Sequence, residues 1–330
     1  LKYMSKKSTL YFHIGLAKTG STYLQQNIFP NIKSIQFINK PELGILTSDN
    51  SWDGTFCRFF KRSPTVWEDL GDHLFEKVFG PPGEAVRRSP TVLLSDENAC
   101  TGCLPDLLYQ HLVMMTELSR RWGFSKLRLL GSVRHQATFL ASAYAQTSDR
   151  LRGASQADFE DSVRSLISVD AGYHLQGVAY DYNRLYDSCA RAVGEENVIF
   201  LPFELMKEDR CQFLKAWLKF MGCEDKAGAA SKVACNGGSM PKNVRSHASN
   251  AWKLRPLTDR NYRVIELPVQ RIWDKLGLPK KVVFRTPDLK RENEIYLTPE
   301  VYDAIVARYA ESNRQLSEQI GFDLKKYGYY

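Results

Sequence analysis

The stretch Tyr11-Phe-His-Ile-Gly-Leu-Ala-Lys-Thr-Gly-Ser-Thr-Tyr-Leu-Gln25 decides the predicted fold, because it joins a strand, a tight loop and the start of a helix. The strand is expected over residues 9–14, which are rich in aromatic and β-branched side chains. Gly15 and Gly20 then bracket a loop that folds back on itself. A turn of this kind points several backbone N–H groups and a helix N-terminus at one place, which favours an anion.

The side chains of this loop indicate a phosphate-like ligand. Lys18 contributes a positive charge, and the residues after it contribute hydroxyl groups and backbone donors: Thr19, Gly20, Ser21 and Thr22. A Walker A loop requires its lysine directly after the second glycine. Here the lysine precedes that glycine, so the Walker pattern fails and another kind of phosphate loop is predicted.

A second strand followed by a helix carries an arginine and a serine at positions that suit another phosphate. Residues 126–133 form an apolar run of strand length, and Arg134 follows it directly. In the next helix, Ser142 lies about two turns beyond the arginine, on the face that returns toward it. A guanidinium and a hydroxyl make a good clamp for a phosphate group.

Taken in this order, the two segments resemble those of sulfotransferases that use 3′-phosphoadenosine 5′-phosphosulfate (PAPS). The loop over residues 15–22 resembles their 5′-phosphosulfate loop, and the segment from Arg134 to Ser142 resembles their 3′-phosphate-binding segment. The end of the chain is similar, more loosely, to the C-terminal helix and tail of bacterial members. The resemblance implies a P-loop-kinase-like sulfotransferase fold, PAPS as the co-substrate and 3′-phosphoadenosine 5′-phosphate (PAP) as the product.

The alternation of strands and helices predicts an α/β fold. Five apolar segments are expected to be strands: residues 9–14, 34–39, 91–95, 127–133 and 197–202. The expected helices include residues 20–29, 66–79, 106–122, 136–146, 210–221 and 298–320. Such alternation implies a parallel sheet covered by helices on both faces, with ligands beyond the carboxyl ends of the strands. We expect one sulfotransferase domain over residues 1–330, in which residues 225–290 form a lid or an acceptor-binding insertion.

Sulfuryl transfer is an in-line displacement, which requires positive charge at the leaving phosphate and a base for the acceptor hydroxyl. Lys18 is the predicted group on the leaving side. Glu97 is the first candidate base, because it follows the strand at 91–95. Ordering the loop or binding acceptor hydroxyls is an equal alternative for it. His135 is the next candidate, whereas His13 is more readily interpreted as a core histidine. Carbohydrate sulfotransferases commonly use a glutamate base, in some of them near the second strand, where this chain has none.

Further residues are candidates for binding the donor. Lys242 and Arg245 lie in a glycine-bearing stretch and are expected either to close over the donor's phosphates or to form an ordinary exposed loop. Trp52 and Phe56 are expected either to stack on adenine or a sugar, or to pack in the core.

Composition favours an enzyme with an acidic ligand. A chain of 330 residues with 43% hydrophobic residues can bury a large core, and its net charge of +8 suits PAPS and an anionic acceptor. Nucleic acid binding is not predicted, because the sequence has no helix-turn-helix, zinc-finger or RNA-binding signature. The seven cysteines are irregularly spaced, which favours free thiols. Cys100 and Cys103 lack a second pair with zinc-like spacing, so no metal site is expected.

The location expected for this protein is the cytoplasm. No apolar run is long enough to span a bilayer, and the first strand begins within a few residues of Met4, which we interpret as the natural start. Association with the inner face of the membrane is left open, as is the oligomeric state.

The predicted function is transfer of a sulfuryl group from PAPS to a hydroxyl of a carbohydrate or glycolipid. Two alternatives stay open. One is a Mg²⁺-dependent small-molecule kinase that uses ATP, for which Asp96 is a partial Walker B match. The other is a non-catalytic protein of this fold that binds an anionic polysaccharide or another partner.

Overall fold

The chain divides into two compact units in a computed structural model. The first unit comprises Leu1–Gln136, Leu166–Met240 and Ala304–Tyr330, and the second comprises Ala137–Ser165 and Pro241–Asp303. The residues that the structure describes are 8–39, 59–97, 99–100, 103–168, 180–223, 246–248, 250–257, 263–266, 281–284 and 291–330. The interpretation as one domain with an insertion at 225–290 stays a prediction, and residues 137–165 join the second unit without any sequence signal for it.

The first unit is built on a five-stranded sheet in the order β2-β3-β1-β4-β5. All four strand pairs are parallel, which confirms the predicted sheet. The strands agree with the expected segments to within two residues: β1 Thr9–Gly15, β2 Gln36–Asn39, β3 Thr91–Ser95, β4 Lys126–Val133 and β5 Val198–Pro202. Because β1 lies between β3 and β4, the loop after β1 is flanked by the segments that follow both neighbours.

Helices follow the strands along the chain. The first begins as α1 at Ser21–Tyr23 and continues as a π-helical turn at Leu24–Ile28 and a 3₁₀ turn at Phe29–Asn31. The others are α2 Val66–Phe79, α3 Glu84–Arg88, α4 Pro105–Arg121, α5 Gln136–Thr147, α6 Gln156–Ile167, α7 Tyr182–Val193, α8 Phe203–Glu208, α9 Arg210–Met221 and α10 Pro299–Ile320. Helices α2 and α9 have the predicted bounds. Four helices were not expected. Helices α3 and α8 are each too short to show an apolar period, and helices α6 and α7 were missed as well.

The two faces of the sheet bury separate cores. Leu10 and Phe12 of β1 point to one face and join a cluster with residues of α2, α4 and α7. Tyr11 points to the other face and joins a cluster with residues of the first helix, α8 and α9. Successive strand residues point to opposite faces, so one apolar strand serves both cores. Burying each such side chain stabilises the fold by about 1.5–3 kcal/mol.

The second unit contains small antiparallel sheets. Strands β6 Ser246–Ala248, β7 Ala251–Lys253 and β10 Glu294–Tyr296 form one sheet in the order β10-β7-β6, and β8 Arg263–Glu266 pairs with β9 Lys281–Phe284. Within this unit, the Arg291 guanidinium donates to the carbonyl oxygens of Ser148, Leu151 and Arg255. This arginine therefore links the turn after α5 to the strand region.

The cysteines correct one expectation. Cys100, Cys103, Cys189 and Cys223 are buried free thiols, and burial raises the pKa of Cys103 to about 12. Cys211, however, is disulfide-bonded, so the expectation of free thiols throughout is wrong there. Irregular spacing did not reveal the pairing, because a disulfide depends on proximity in space rather than along the chain.

The described part of the chain has neither a helix that could span a membrane nor a cluster of metal ligands. None of its helices is long and apolar enough to cross a membrane. Its His, Cys, Asp and Glu side chains form no group of three or more that could hold a metal ion.

Candidate active site

The loop after β1 has a backbone conformation that requires glycine. Gly15 and Gly20 have φ angles of 101° and 81°, and Lys18 between them also has a positive φ, at 66°. A Cβ on Gly15 would lie 2.4 Å from the backbone oxygen of Glu97, which is far inside contact distance. Glycine is therefore needed both for the left-handed conformation and for the close approach of the segment after β3.

Two hydrogen bonds stabilise this loop conformation, one to strand β4 and one within the loop. The backbone N–H of Leu16 donates to the carbonyl of Ser132 in β4, at 3.0 Å. The Thr19 hydroxyl is fully buried and donates to the Leu16 carbonyl at 2.5 Å. Among the predicted phosphate ligands, Thr19 thus uses its hydroxyl hydrogen to stabilise the loop. Lys18 is half-buried, Ser21 is buried and Thr22 is exposed.

Arg134 brings the two predicted phosphate segments together. It follows β4, only 7% of it is exposed, and its Nη1 donates to the carbonyl oxygen of Lys18 at 2.9 Å. The guanidinium also lies 5.3 Å from the centre of the Phe203 ring. Burial lowers the pKa of Arg134, and the nearby Glu204 carboxylate opposes this effect. The result is a fixed cation directly beside the loop.

Glu204, at the start of α8, fixes the backbone next to Arg134. One carboxylate oxygen accepts the backbone N–H of His135 at 3.2 Å, and the other accepts the Tyr329 hydroxyl at 2.8 Å. The His135 ring lies against the C-terminal tail, where its Nε2 donates to the Gly328 carbonyl at 2.8 Å. Burial lowers the pKa of His135. This arrangement favours an anchoring role for the ring, while a catalytic role for it stays a prediction.

Glu97 lies at the same edge of the sheet, where its carboxylate accepts a hydrogen bond from Gln25 of the first helix. Only 7% of the residue is exposed, and its Oε2 accepts from Nε2 of Gln25 at 2.7 Å. The same amide nitrogen donates to Oγ of Ser95 at 2.9 Å. Asp96 is almost fully buried at the end of β3, and its N–H donates to the carbonyl of His13.

His13 is a core residue, as its sequence context suggested. It is fully buried, and its Nδ1 lies 2.7 Å from Oγ of Ser95. Its ring packs edge-on against Phe29 and Trp217, with distances between ring centres of 5.3 and 5.4 Å. A ring enclosed in this way has no face at the ligand edge.

The structure does not test the remaining predicted residues. Ser142 is buried in the part of α5 that belongs to the second unit, and its hydroxyl has no hydrogen-bond partner among the described residues. Its pairing with Arg134 stays a prediction. Four other candidates lie outside the described residues: Lys242, Arg245, Trp52 and Phe56.

Three residues at this edge were missed in the sequence: Gln25, Glu204 and Lys207. The Nζ of Lys207 lies 4.9 Å from the centre of the Phe203 ring. The Arg134 guanidinium also contacts this ring. Partial burial and the Arg134 charge lower the pKa of Lys207. A lysine just after the last sheet strand was the available signal, but it does not distinguish this residue from other surface lysines.

Comparison with known proteins shows the fold. No family model matches the sequence, and no curated protein sequence matches it. A crystal structure of a sulfotransferase from Alicyclobacillus acidocaldarius is similar over 96% of this chain and 97% of that chain, with 14% sequence identity and a TM-score of 0.50. The chain therefore has a sulfotransferase-like α/β fold, which confirms the predicted fold class.

Proposed function

We propose that this protein is a PAPS-dependent sulfotransferase that transfers a sulfuryl group to an acceptor hydroxyl, with PAP as the second product. The observation that carries the proposal is the hydrogen bond from Arg134 to the Lys18 carbonyl. It joins two segments that were separately predicted to bind the two phosphate ends of one nucleotide. The sulfotransferase-like fold supports the same reading.

The residues at this edge fit such a donor. The tight glycine loop presents backbone N–H groups and a helix start to an anion. Lys18 supplies a half-buried positive charge in the loop, and Arg134 supplies a buried planar cation suited to a phosphate. When bound, PAPS would supply the sulfuryl group and a phosphate leaving group. Lys18 stabilises the negative charge that develops on that leaving group.

Glu97 is the proposed base. Its backbone lies so close to Gly15 that a side chain would not fit between them, and this closeness to the loop after β1 supports the proposal. A carboxylate there can take the proton of an acceptor hydroxyl as the new bond to sulfur forms. We propose a carbohydrate or glycolipid acceptor and a cytoplasmic location, on the family resemblance. Residues 225–290, with Lys242 and Arg245, are proposed to close over the donor and acceptor.

Calorimetry with nucleotides tests the proposal. PAP should bind far more tightly than adenosine 5′-phosphate, ADP or ATP, because Arg134 requires the 3′-phosphate. An Arg134→Ala variant should lose this preference, whereas Arg121→Ala should keep it, since Arg121 is exposed and pairs with Asp72. Tight nucleotide binding that ignores the 3′-phosphate would contradict the assignment.

A kinase remains the second candidate because of Asp96. This buried carboxyl group directly follows β3, which pairs with the strand that precedes the loop. In a phosphate-loop kinase an aspartate after such a strand holds Mg²⁺. Mg²⁺-dependent release of ADP from ATP, with no binding of PAP, would favour this candidate.

A further inference from the structure

Glu97 ends a continuous chain of buried hydrogen bonds. The chain begins at His13 in β1, passes through Ser95 at the end of β3 and Gln25 in the first helix, and reaches the carboxylate of Glu97. Its three links measure 2.7, 2.9 and 2.7 Å. All four side chains are buried. A proposed base that is tied into the core in this way has a fixed position before any acceptor arrives.

The chemistry of Gln25 sets the direction of its link to Glu97. A carboxylate can only accept hydrogen bonds, so the Gln25 amide must present its nitrogen to it. That nitrogen has two hydrogens, and the second is donated to Ser95 Oγ. A donor held against a carboxylate favours the ionised form over the protonated form. The ionised form is the one that can remove a proton.

Gln25 is directed inward by the first helix. This residue lies in the π-helical turn Leu24–Ile28, which begins just after the phosphate loop. Gln25 is 4% exposed, whereas its neighbours Gln26 and Asn27 are exposed. The wider π-helical turn is found mainly as a single turn and frequently at functional sites.

We propose that Gln25 is a positioning residue, which orients the carboxylate of Glu97 and favours its ionised form. The inference rests on the proposed function for its catalytic meaning, but the contact itself can be tested without turnover. Among the described residues, the other titratable side chains on the elements around Glu97 are Tyr11 and His13 on β1, Lys18 in the phosphate loop, Tyr23 in the first helix, and Asp96, Cys100 and Cys103 in the segment after β3.

The first test is a carboxyl titration by ¹³C NMR, with glutamate labelled at its side-chain carboxyl carbon and the Glu97 signal assigned by Glu97→Gln. Gln25→Met keeps the length of the side chain and removes the donor. It should raise the pKa of Glu97 by about one unit. The matched control is Gln26→Met, which changes an exposed neighbour and should leave the signal unchanged. An identical Glu97 titration in wild type and Gln25→Met would overturn the proposal.

The second test separates orientation from folding. PAP release from PAPS is measured across pH with the best acceptor from a panel of sugars and glycolipids. Gln25→Met should lower kcat by about tenfold near neutral pH, shift the acid limb upward by about one unit, and leave PAP affinity unchanged. Parallel loss of PAP affinity and kcat, with an unshifted acid limb, would show a structural role and overturn the proposal.

A second variant covers the case in which Gln25→Met does not fold. Gln25→Glu preserves the shape of the side chain but puts a second carboxyl group against Glu97, so the pair should titrate with one strongly raised pKa. An unaltered Glu97 titration would again overturn the proposal. Failure of wild-type protein to bind PAP would instead count against the proposed function, because the NMR titration does not depend on the donor.

Discussion

Arg134 lies between two regions whose shapes are maintained in different ways. The loop after β1 is the loop side, and Glu204 with the C-terminal tail is the tail side. On the loop side, the shape comes from backbone conformation, with positive φ angles at Gly15, Lys18 and Gly20. On the tail side, it comes from side chains far apart in sequence, since Glu204 accepts hydrogen bonds from the backbone next to Arg134 and from the C-terminal tail. The loop side carries the groups proposed to react, and the tail side holds the proposed donor-binding cation in place.

The residues proposed to react and the residues that hold them in place therefore lie on different sides of Arg134. Changes on the loop side are expected to alter turnover, because Lys18 and Glu97 act on atoms whose charge changes during transfer. Changes on the tail side are expected to alter stability or donor affinity. A loop-side variant that alters only stability, or a tail-side variant that alters only turnover, would contradict this division.

The largest effect is expected from Glu97→Gln. This change keeps shape and hydrogen bonding but removes basicity, so turnover should fall by about 10²–10⁴-fold. PAP affinity, measured by calorimetry, should stay nearly constant. His135→Gln should cost less, because the His135 ring lies on the tail side. Near-normal turnover of Glu97→Gln would transfer the role of base to His135.

Lys18→Ala should give the next largest effect. Its charge matters most when the bridging oxygen becomes anionic, so kcat should fall by about 10²–10³-fold, with a smaller loss of PAP affinity. Single-turnover PAP release compared with PAP calorimetry separates the two quantities. A loss confined to affinity would place Lys18 among the binding residues.

Arg134→Ala should act mainly on donor binding. The proposed charge-assisted contact to the 3′-phosphate is present both before and after transfer, so its loss weakens binding of donor and product alike. PAP affinity should therefore fall by about 10–100-fold, and kcat should change less. Adenosine 5′-phosphate, which lacks the 3′-phosphate, should bind both proteins about equally. Unchanged PAP affinity would contradict the placement of the 3′-phosphate.

Tyr329→Phe tests the tail side alone. It removes the hydroxyl of a fully buried tyrosine, which donates to the partly buried carboxylate of Glu204, and the free energy of unfolding should fall by about 1–3 kcal/mol. Tyr327→Phe is the matched control, because its hydroxyl donates to Glu208 at the surface and should contribute less. Equal losses in urea unfolding would argue against a special tail-side contact.

The smallest effect is a pH dependence of stability. Burial lowers the pKa of His135, so the unfolded chain binds a proton more readily than the folded protein once pH falls below about 6.5. Stability should therefore decline on acidification. Part of this decline should vanish in His135→Gln but not in His73→Gln, which changes an exposed residue. His111, whose pKa burial lowers to about 4, should supply another part.

Local sequence signals carried much of the proposed site. Apolar runs predicted all five strands of the sheet, and the glycine and lysine spacing predicted a phosphate-type loop whose backbone has the tight geometry that glycine permits. The strand predictions are confirmed because each depends on residues within one strand, whereas phosphate binding by the loop stays a prediction. Arg134 was singled out by its place directly after an apolar run, and its role in binding a phosphate stays a prediction as well.

The contacts between groups that are distant in sequence could not be predicted from local patterns. Gln25 and Glu97 are separated by 72 positions, Glu204 and Tyr329 by 125, and His135 and Gly328 by 193. Periodicity tells which face of a strand or helix is buried, but it does not tell which segment lies opposite. The strand order β2-β3-β1-β4-β5 brings the end of β3 to the side of the phosphate loop, and the packing of the tail brings Tyr329 to Glu204. The sheet and the tight loop after β1 could therefore be predicted, because their signals are local. The partners of Glu97 and Arg134 depend on long-range packing, which no local pattern reveals.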